Sequence, residues 1–112
     1  MNKVYRLKKN EDFQHTISGK KRLGNSSFTI YLTRNELGHV RVGISTSKKL
    51  GIAVVRNRIR RQVRSMIQHR LVVDQALDLV IIVKNDYLTH SFLDNEQQLL
   101  TLIRSLGGSL LS

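Results

Sequence analysis

Apolar residues recur along this chain with a spacing that changes from segment to segment, and each spacing predicts an element. Phe13 and Ile17 stand four apart, on one face of a short helix. Asn10 can cap that helix, Glu11 and Asp12 fall in its first turn, and Gly19 can end it. Lys20-Lys21-Arg22 leads into residues 27–33, where Phe28, Ile30 and Leu32 alternate with Thr29, Tyr31 and Thr33. Residues 36–39 read as a turn, and 40–46 alternate again, with Val42 and Ile44 set against Arg41, Gly43 and Ser45. Together the two runs predict a hairpin with an apolar face for a core and a polar face carrying an aromatic ring and an arginine.

A polar, basic connection over 45–51 precedes a long helix, predicted from about Ala53 to Arg70. At about 100° per residue, Val55, Ile59, Val63, Met66 and Ile67 form one apolar stripe. Asn57, Arg58, Arg60, Arg61 and Arg64 fall on the opposite arc, and Arg56 sits at the apolar edge, where its stem can snorkel. Leu77–Val83 is short and nearly all apolar, so it reads as a buried strand, with Asp78 expected at its exposed end. Ser91 and Asp94 resemble a capping box. Leu93, Leu99, Leu100, Ile103 and Leu106 then mark a final amphipathic helix stopped by Gly107-Gly108. The order α, β, β, α, β, α predicts an α+β fold, a small sheet packed with helices, in a single domain over 1–112.

Charge changes the picture. Nineteen Lys and Arg against eight Asp and Glu give +11 in 112 residues. Between Leu37 and Val73 there is no acid, but there are nine bases: Arg41, Lys48, Lys49, Arg56, Arg58, Arg60, Arg61, Arg64 and Arg70. Eight acids cannot pair with nineteen bases, so a basic helix neutralised from elsewhere in the chain does not account for the excess. A polyanion does, and guanidinium groups spread over about two helical turns suit the phosphates of a folded RNA. DNA is not expected, because nothing reads as a dimer or as the second helix of a helix-turn-helix. A membrane is not expected either: the longest apolar run is too short to span one, and the long helix lacks Trp and Phe on its apolar side.

Catalytic chemistry is hard to find. Glu11-Asp12 fits a helix start, and the other acids are scattered. His15, His39, His69 and His90 have no metal-ligand spacing, there is no cysteine, and there is no phosphate-binding glycine loop. No catalytic residue and no protein-bound metal are expected. The absence of an apolar run after the first charges and of cysteine suits a cytoplasmic location.

The segment Lys48-Lys49-Leu50-Gly51-Ile52-Ala53-Val54-Val55-Arg56-Asn57-Arg58-Ile59-Arg60-Arg61-Gln62-Val63-Arg64 resembles the signature of the bacterial ribonuclease P protein family. Arg41-Val42-Gly43-Ile44-Ser45-Thr46-Ser47 is similar to the strand preceding it in that family, and Arg6-Leu7-Lys8-Lys9-Asn10-Glu11-Asp12-Phe13 to the family's start. The resemblance runs from about Arg6 to about Leu106. It implies a ribosomal protein S5 domain 2-like fold with a left-handed βαβ crossover. It also implies a subunit of an endonuclease that removes the 5′ leader from precursor tRNA, with the chemistry carried by ribonuclease P RNA and its Mg2+. Arg56, Asn57, Arg58, Arg60, Arg61 and Arg64 are implied to contact the catalytic RNA. Phe13, Ile17, Tyr31, Ser45, Ser47 and Lys48 are implied to lie in or beside a cleft for the single-stranded leader, between the first helix and the sheet. Stacking on aromatic faces tolerates any base, which suits a leader of varied sequence. Ile17 departs from the family, many of whose members have a second aromatic there; isoleucine offers contact without stacking. A core position for Phe13, covering Phe28, Ile30 and Leu32, is the alternative to the cleft. Two rival readings of the whole chain are a ribosomal or ribosome-assembly protein and a basic membrane-surface protein.

Overall fold

The computed structural model describes residues 3–19, 21–107 and 109–112. Met1, Asn2, Lys20 and Gly108 lie outside them, and with them the parts of the basic lead-in and of the final helix stop predicted at Lys20 and Gly108. The elements are α1 (Asn10–Ile17), β1 (Lys21–Gly24), β2 (Phe28–Arg34), β3 (Arg41–Thr46), α2 (Ala53–Ile67), β4 (Leu77–Val83) and α3 (Phe92–Leu106). Short 3-10 helices occupy Lys3–Tyr5, Lys48–Leu50 and Asn85–Thr89.

One sheet runs in the order β1-β2-β4-β3. The expected hairpin between 27–33 and 40–46 is not formed: β4 enters between these strands, antiparallel to β2 and parallel to β3. The reason lies in β4 itself. An almost uniformly apolar strand is satisfied only when both edges and both faces are covered, so it takes a central place. Parallel neighbours cannot be joined by a tight turn, and α2 supplies the crossover from β3 to β4. The antiparallel neighbour of β2 on its other side is β1, which the periodicity did not reveal. All four residues of β1 are exposed, so it carries no apolar alternation to read.

Phe28, Ile30 and Leu32 of β2, Val42 and Ile44 of β3, and Leu79, Ile81 and Val83 of β4 bury one face of the sheet. Ile59, Val63, Met66 and Ile67 of α2 and Leu99, Leu102, Ile103 and Leu106 of α3 cover it. The other face, bearing Tyr31, Val80 and Gly43 in one register row, receives α1, which packs on β2 and β4.

Several ends differ from expectation. Lys9, not Asn10, holds the cap position of α1, and Asn10 is its first helical residue. Helix α2 stops at Ile67 rather than Arg70; the Arg70 and Leu71 N–H groups donate to the Ile67 carbonyl in a closing turn. Ser91 caps α3 as expected, its hydroxyl accepting the Asp94 N–H at 3.1 Å. Leu93 is off the buried stripe and 71% exposed. Gly51, at φ 131°, makes the bend between the Lys48–Leu50 turn and α2 in a conformation that favours glycine.

Asp78 is buried, not at an exposed end. Arg41, its register partner on β3, donates from Nε to Oδ1 at 2.9 Å and from Nη2 to Oδ2 at 2.7 Å. The Asn35 amide adds a third bond at 2.8 Å. A two-pronged guanidinium contact with a further donor compensates the lost hydration, which makes burial tolerable.

Candidate nucleic-acid interface

The stripe that buries α2 fixes where its cations point. Arg56, Arg60 and Arg64 are four apart, form one row on the flank facing β3, and are half-buried. Arg61 and Asn57 face outward, and Arg58 lies on the opposite flank. Arg60 donates to the Thr46 hydroxyl of β3 and to the Asn57 amide oxygen, which fixes its guanidinium at the edge of the sheet.

No carboxylate pairs with this row. Among the described residues the two ion pairs are both made by Arg41, with Asp78 and Asp12. The Nε atoms of Arg56 and Arg6 are buried with no hydrogen-bond partner. Burial, and then the neighbouring charges of Arg6 and Arg60, hold the Arg64 guanidinium below its ordinary value. The first turn of α2 contains no acid, so the positive end of its dipole adds to the field.

Arg6 and Lys8 were read only as part of the chain start. They reach the site because the N-terminal segment runs along the outer edge of β3: Arg6 bridges Val42 in parallel, and the Leu7 N–H donates to the Val42 carbonyl at 2.9 Å. No periodicity could have announced this pairing of two residues.

Between α1 and the β3 edge lies a groove of about 380 Å3. Phe13, Gln14 and Ile17 form one wall; Ser45 and Thr46, with Arg60 behind them, form the other, and Lys8 stands at the rim. Phe13 lies on the sheet face opposite Phe28, Ile30 and Leu32, so it does not cover them. Its ring sits directly on Gly43, where an added Cβ would stand 2.4 Å from Cζ. Glycine is what lets the aromatic ring settle against the strand. The Arg41 Nη1 donates to Asp12 at 3.1 Å, tying the first turn of α1 to the sheet through the same guanidinium that neutralises Asp78.

The other expected leader residues divide. Ser47 lines a second hollow of about 470 Å3 with Ile82, Lys84 and Asp86. Ser45 and Ile82 are register partners, so this hollow abuts the groove and the two make one trough along the end of the sheet. Lys48 is exposed at the start of the 3-10 turn beside it. Tyr31 stands apart from the groove walls, two strands from Gly43 in the same row, about 10 Å across the sheet. Its hydroxyl accepts from Arg22 Nη1 at 3.2 Å, and the Arg22 guanidinium carbon lies 6.0 Å from its ring centroid. Arg22 is therefore a second cation that the sequence pattern did not place, because it belongs to the unrecognised strand β1.

Two of the histidines make structural contacts. His39 packs edge-on against Tyr5, and the His90 ring meets the Ser26 hydroxyl, which also donates to Asp86. Among the described residues no three of His, Asp and Glu converge, and no helix is long and apolar enough to cross a membrane. The apolar stripe of α2 is committed to the core and is not available to a bilayer surface.

These features can be compared with known proteins. The family model for ribonuclease P matches residues 1–107. The chain is 43% identical over 99 residues to the ribonuclease P protein component of Mesoplasma florum, an overlap of 87% of this chain and 90% of that one. It is 38% identical over 107 residues to that of Streptococcus agalactiae, covering 96% and 98%. A solved Staphylococcus aureus RNase P protein superposes with a TM-score of 0.80 at 34% identity, covering 91% of this chain and 94% of that one. With the fold and nearly the whole length in agreement, the chain belongs to the ribonuclease P protein family.

Proposed function

We propose that this chain binds the catalytic RNA of ribonuclease P through α2 and holds the 5′ leader of precursor tRNA in the trough between α1 and the sheet, assisting endonucleolytic removal of the leader. The observation that carries this reading is the unpaired arginine row beside an aromatic-walled trough. Arg56, Asn57, Arg58, Arg60, Arg61 and Arg64 serve the catalytic RNA. Phe13, Ile17 and Ser45, with Ser47 and Lys48 beyond them, serve the leader, and Tyr31 with Arg22 offers a further stacking and phosphate pair. Contacts to phosphate and to the faces of bases carry no sequence information, which fits a leader that differs among tRNAs.

The hydrolytic chemistry belongs to the RNA and its Mg2+ in this reading. This is supported by the acids beside α1: Asp12 and Asp78 are committed to Arg41. The protein instead reduces repulsion between two RNAs, which lowers their demand for Mg2+. Precursor tRNA as substrate makes the cytoplasm its place of work.

The test is cleavage of a 5′-extended precursor tRNA by a bacterial ribonuclease P RNA at low-millimolar Mg2+, with and without the protein. The expected result is an inert protein that strongly stimulates the RNA. Cleavage by the protein alone, or no stimulation, overturns the proposal. Tyr31→Ala should weaken binding of precursor tRNA to the holoenzyme more than binding of mature tRNA; equal losses would remove Tyr31 from the leader site.

A further inference from the structure

Arg58 lies on the flank of α2 opposite the row of Arg56, Arg60 and Arg64, away from the leader trough. It and Gln62 flank the buried stripe on the side facing the Asn85–Thr89 turn and the start of α3. There they border a third cavity, of about 220 Å3, lined by Val55, Ile59, Leu88 and Phe92 together with the polar groups of Tyr87 and His90.

Three properties of this pocket point to one kind of occupant. Its lining is largely polar but carries two apolar side chains open to water: Leu88 is 54% exposed and Phe92 41%. Its volume falls below the roughly 300–1,000 Å3 of pockets that enclose a drug-sized molecule, so it takes a single flat ring rather than a whole nucleotide. Its lining contains a guanidinium and no carboxylate.

The pocket is also held in shape. Gln62 Oε1 accepts the Tyr87 hydroxyl at 2.7 Å, which joins α2 to the turn. The Asn95 side chain, 1% exposed, donates to the Tyr87 carbonyl at 3.0 Å and accepts the Ser27 hydroxyl at 2.7 Å. A wall fixed by buried hydrogen bonds does not have to be ordered when a ligand arrives.

We propose that this pocket receives one unstacked base of the catalytic RNA, stacked on Phe92, with the adjoining phosphate on Arg58. The proposal rests on the reading that α2 faces that RNA. It adds a stacking site on the far flank of the helix, so that the RNA grips α2 from two sides.

Phe92→Trp supplies the chain's sole tryptophan, because the sequence has none. Adding ribonuclease P RNA should quench its emission at a stoichiometry of one. Phe92→Ala should bind the RNA about five- to a hundredfold more weakly at unchanged salt slope, the loss expected for one stacked base. Arg58→Ala should instead flatten the slope of log affinity against log salt by about one unit. If the wild-type protein binds the RNA but Phe92→Trp emission does not change and Phe92→Ala binds equally well, the pocket assignment is overturned while the reading of α2 stands. If the wild-type protein does not bind the RNA, the reading of α2 falls and this proposal with it. A concentration-dependent dimer that forms without RNA and is lost in Phe92→Ala would assign the pocket to a second copy of the chain, and would also overturn it.

Discussion

Gly43 and Phe13 show how one missing methyl group can shape a binding surface. The ring of Phe13 rests where a Cβ on residue 43 would be, so Gly43→Ala must push the aromatic off the strand and into the groove. The expected cost is about 1–3 kcal/mol of stability, as for other overpacked sites. Urea unfolding of Gly43→Ala, Phe13→Leu and the double variant would measure it. A double variant no less stable than Phe13→Leu alone would locate the strain in this contact, whereas strictly additive losses would place it elsewhere. The sequence placed Phe13 on the face of a helix, but not which face of the sheet the helix would meet. Spacing within one element says nothing of its partner. Tyr87 gives a second residue-scale expectation. Burial pushes its phenol up to about 12, above the ordinary value near 10 of an unfolded chain. The unfolded state therefore loses this proton first. The stabilisation from Tyr87 is complete below about pH 10, declines above it and is gone beyond the folded value near 12. Thermal unfolding followed from about pH 9 to 12 should fall less steeply in Tyr87→Phe than in the wild type; parallel curves would contradict the assignment.

At the scale of elements, α2 was the most legible part of the chain. Fifteen residues of regular period fix both its buried stripe and its cationic arc, and the structure moves only its last turn. What the period left open is that Arg60 and Arg64 of the arc join Arg56 in a half-buried row, while Arg58 lies on the other flank. The division follows from which neighbours stand on each side, β3 on one and the start of α3 on the other. The sheet was less legible. Strands β2 and β4 announced themselves by apolar pattern. Strand β1 had no apolar face to announce, and the order of strands is set by pairing across long loops. Asp78 was misread for the same reason: its partner Arg41 is adjacent only once β3 and β4 pair. The row makes a quantitative prediction. Arg60→Ala with Arg64→Ala should leave the fold intact, because both side chains lie outside the hydrophobic core, and should flatten the salt dependence of RNA binding by about two units of slope. An unchanged slope with normal assembly would remove the row from the RNA interface.

At the scale of the whole molecule, the same cations that fit the protein to RNA work against its folding. A net charge of +11 is held within a radius of gyration of 13.0 Å. Charges on opposite sides stand further apart than the Debye length of about 10 Å at 0.1 M salt, so moderate salt screens them from each other. The row of Arg60 and Arg64 with Arg6 nearby is different: these groups are close and partly buried, and screening reaches them less. Two regimes follow. Added chloride should raise Tm steeply at first and then level off. A multivalent anion, sulfate or pyrophosphate at low-millimolar concentration and matched ionic strength, should raise it further, because it binds the row in the native state alone. Arg60→Ala with Arg64→Ala should gain stability in low salt, where repulsion is relieved, and should lose the extra increment from the multivalent anion. Tm values that are equal in chloride and pyrophosphate, or an increment that survives the double substitution, would show that the row is not an anion site. The expected pattern would mean that the RNA partner completes the fold as well as the function, since the stability withheld by the unpaired arginines is returned when phosphates arrive.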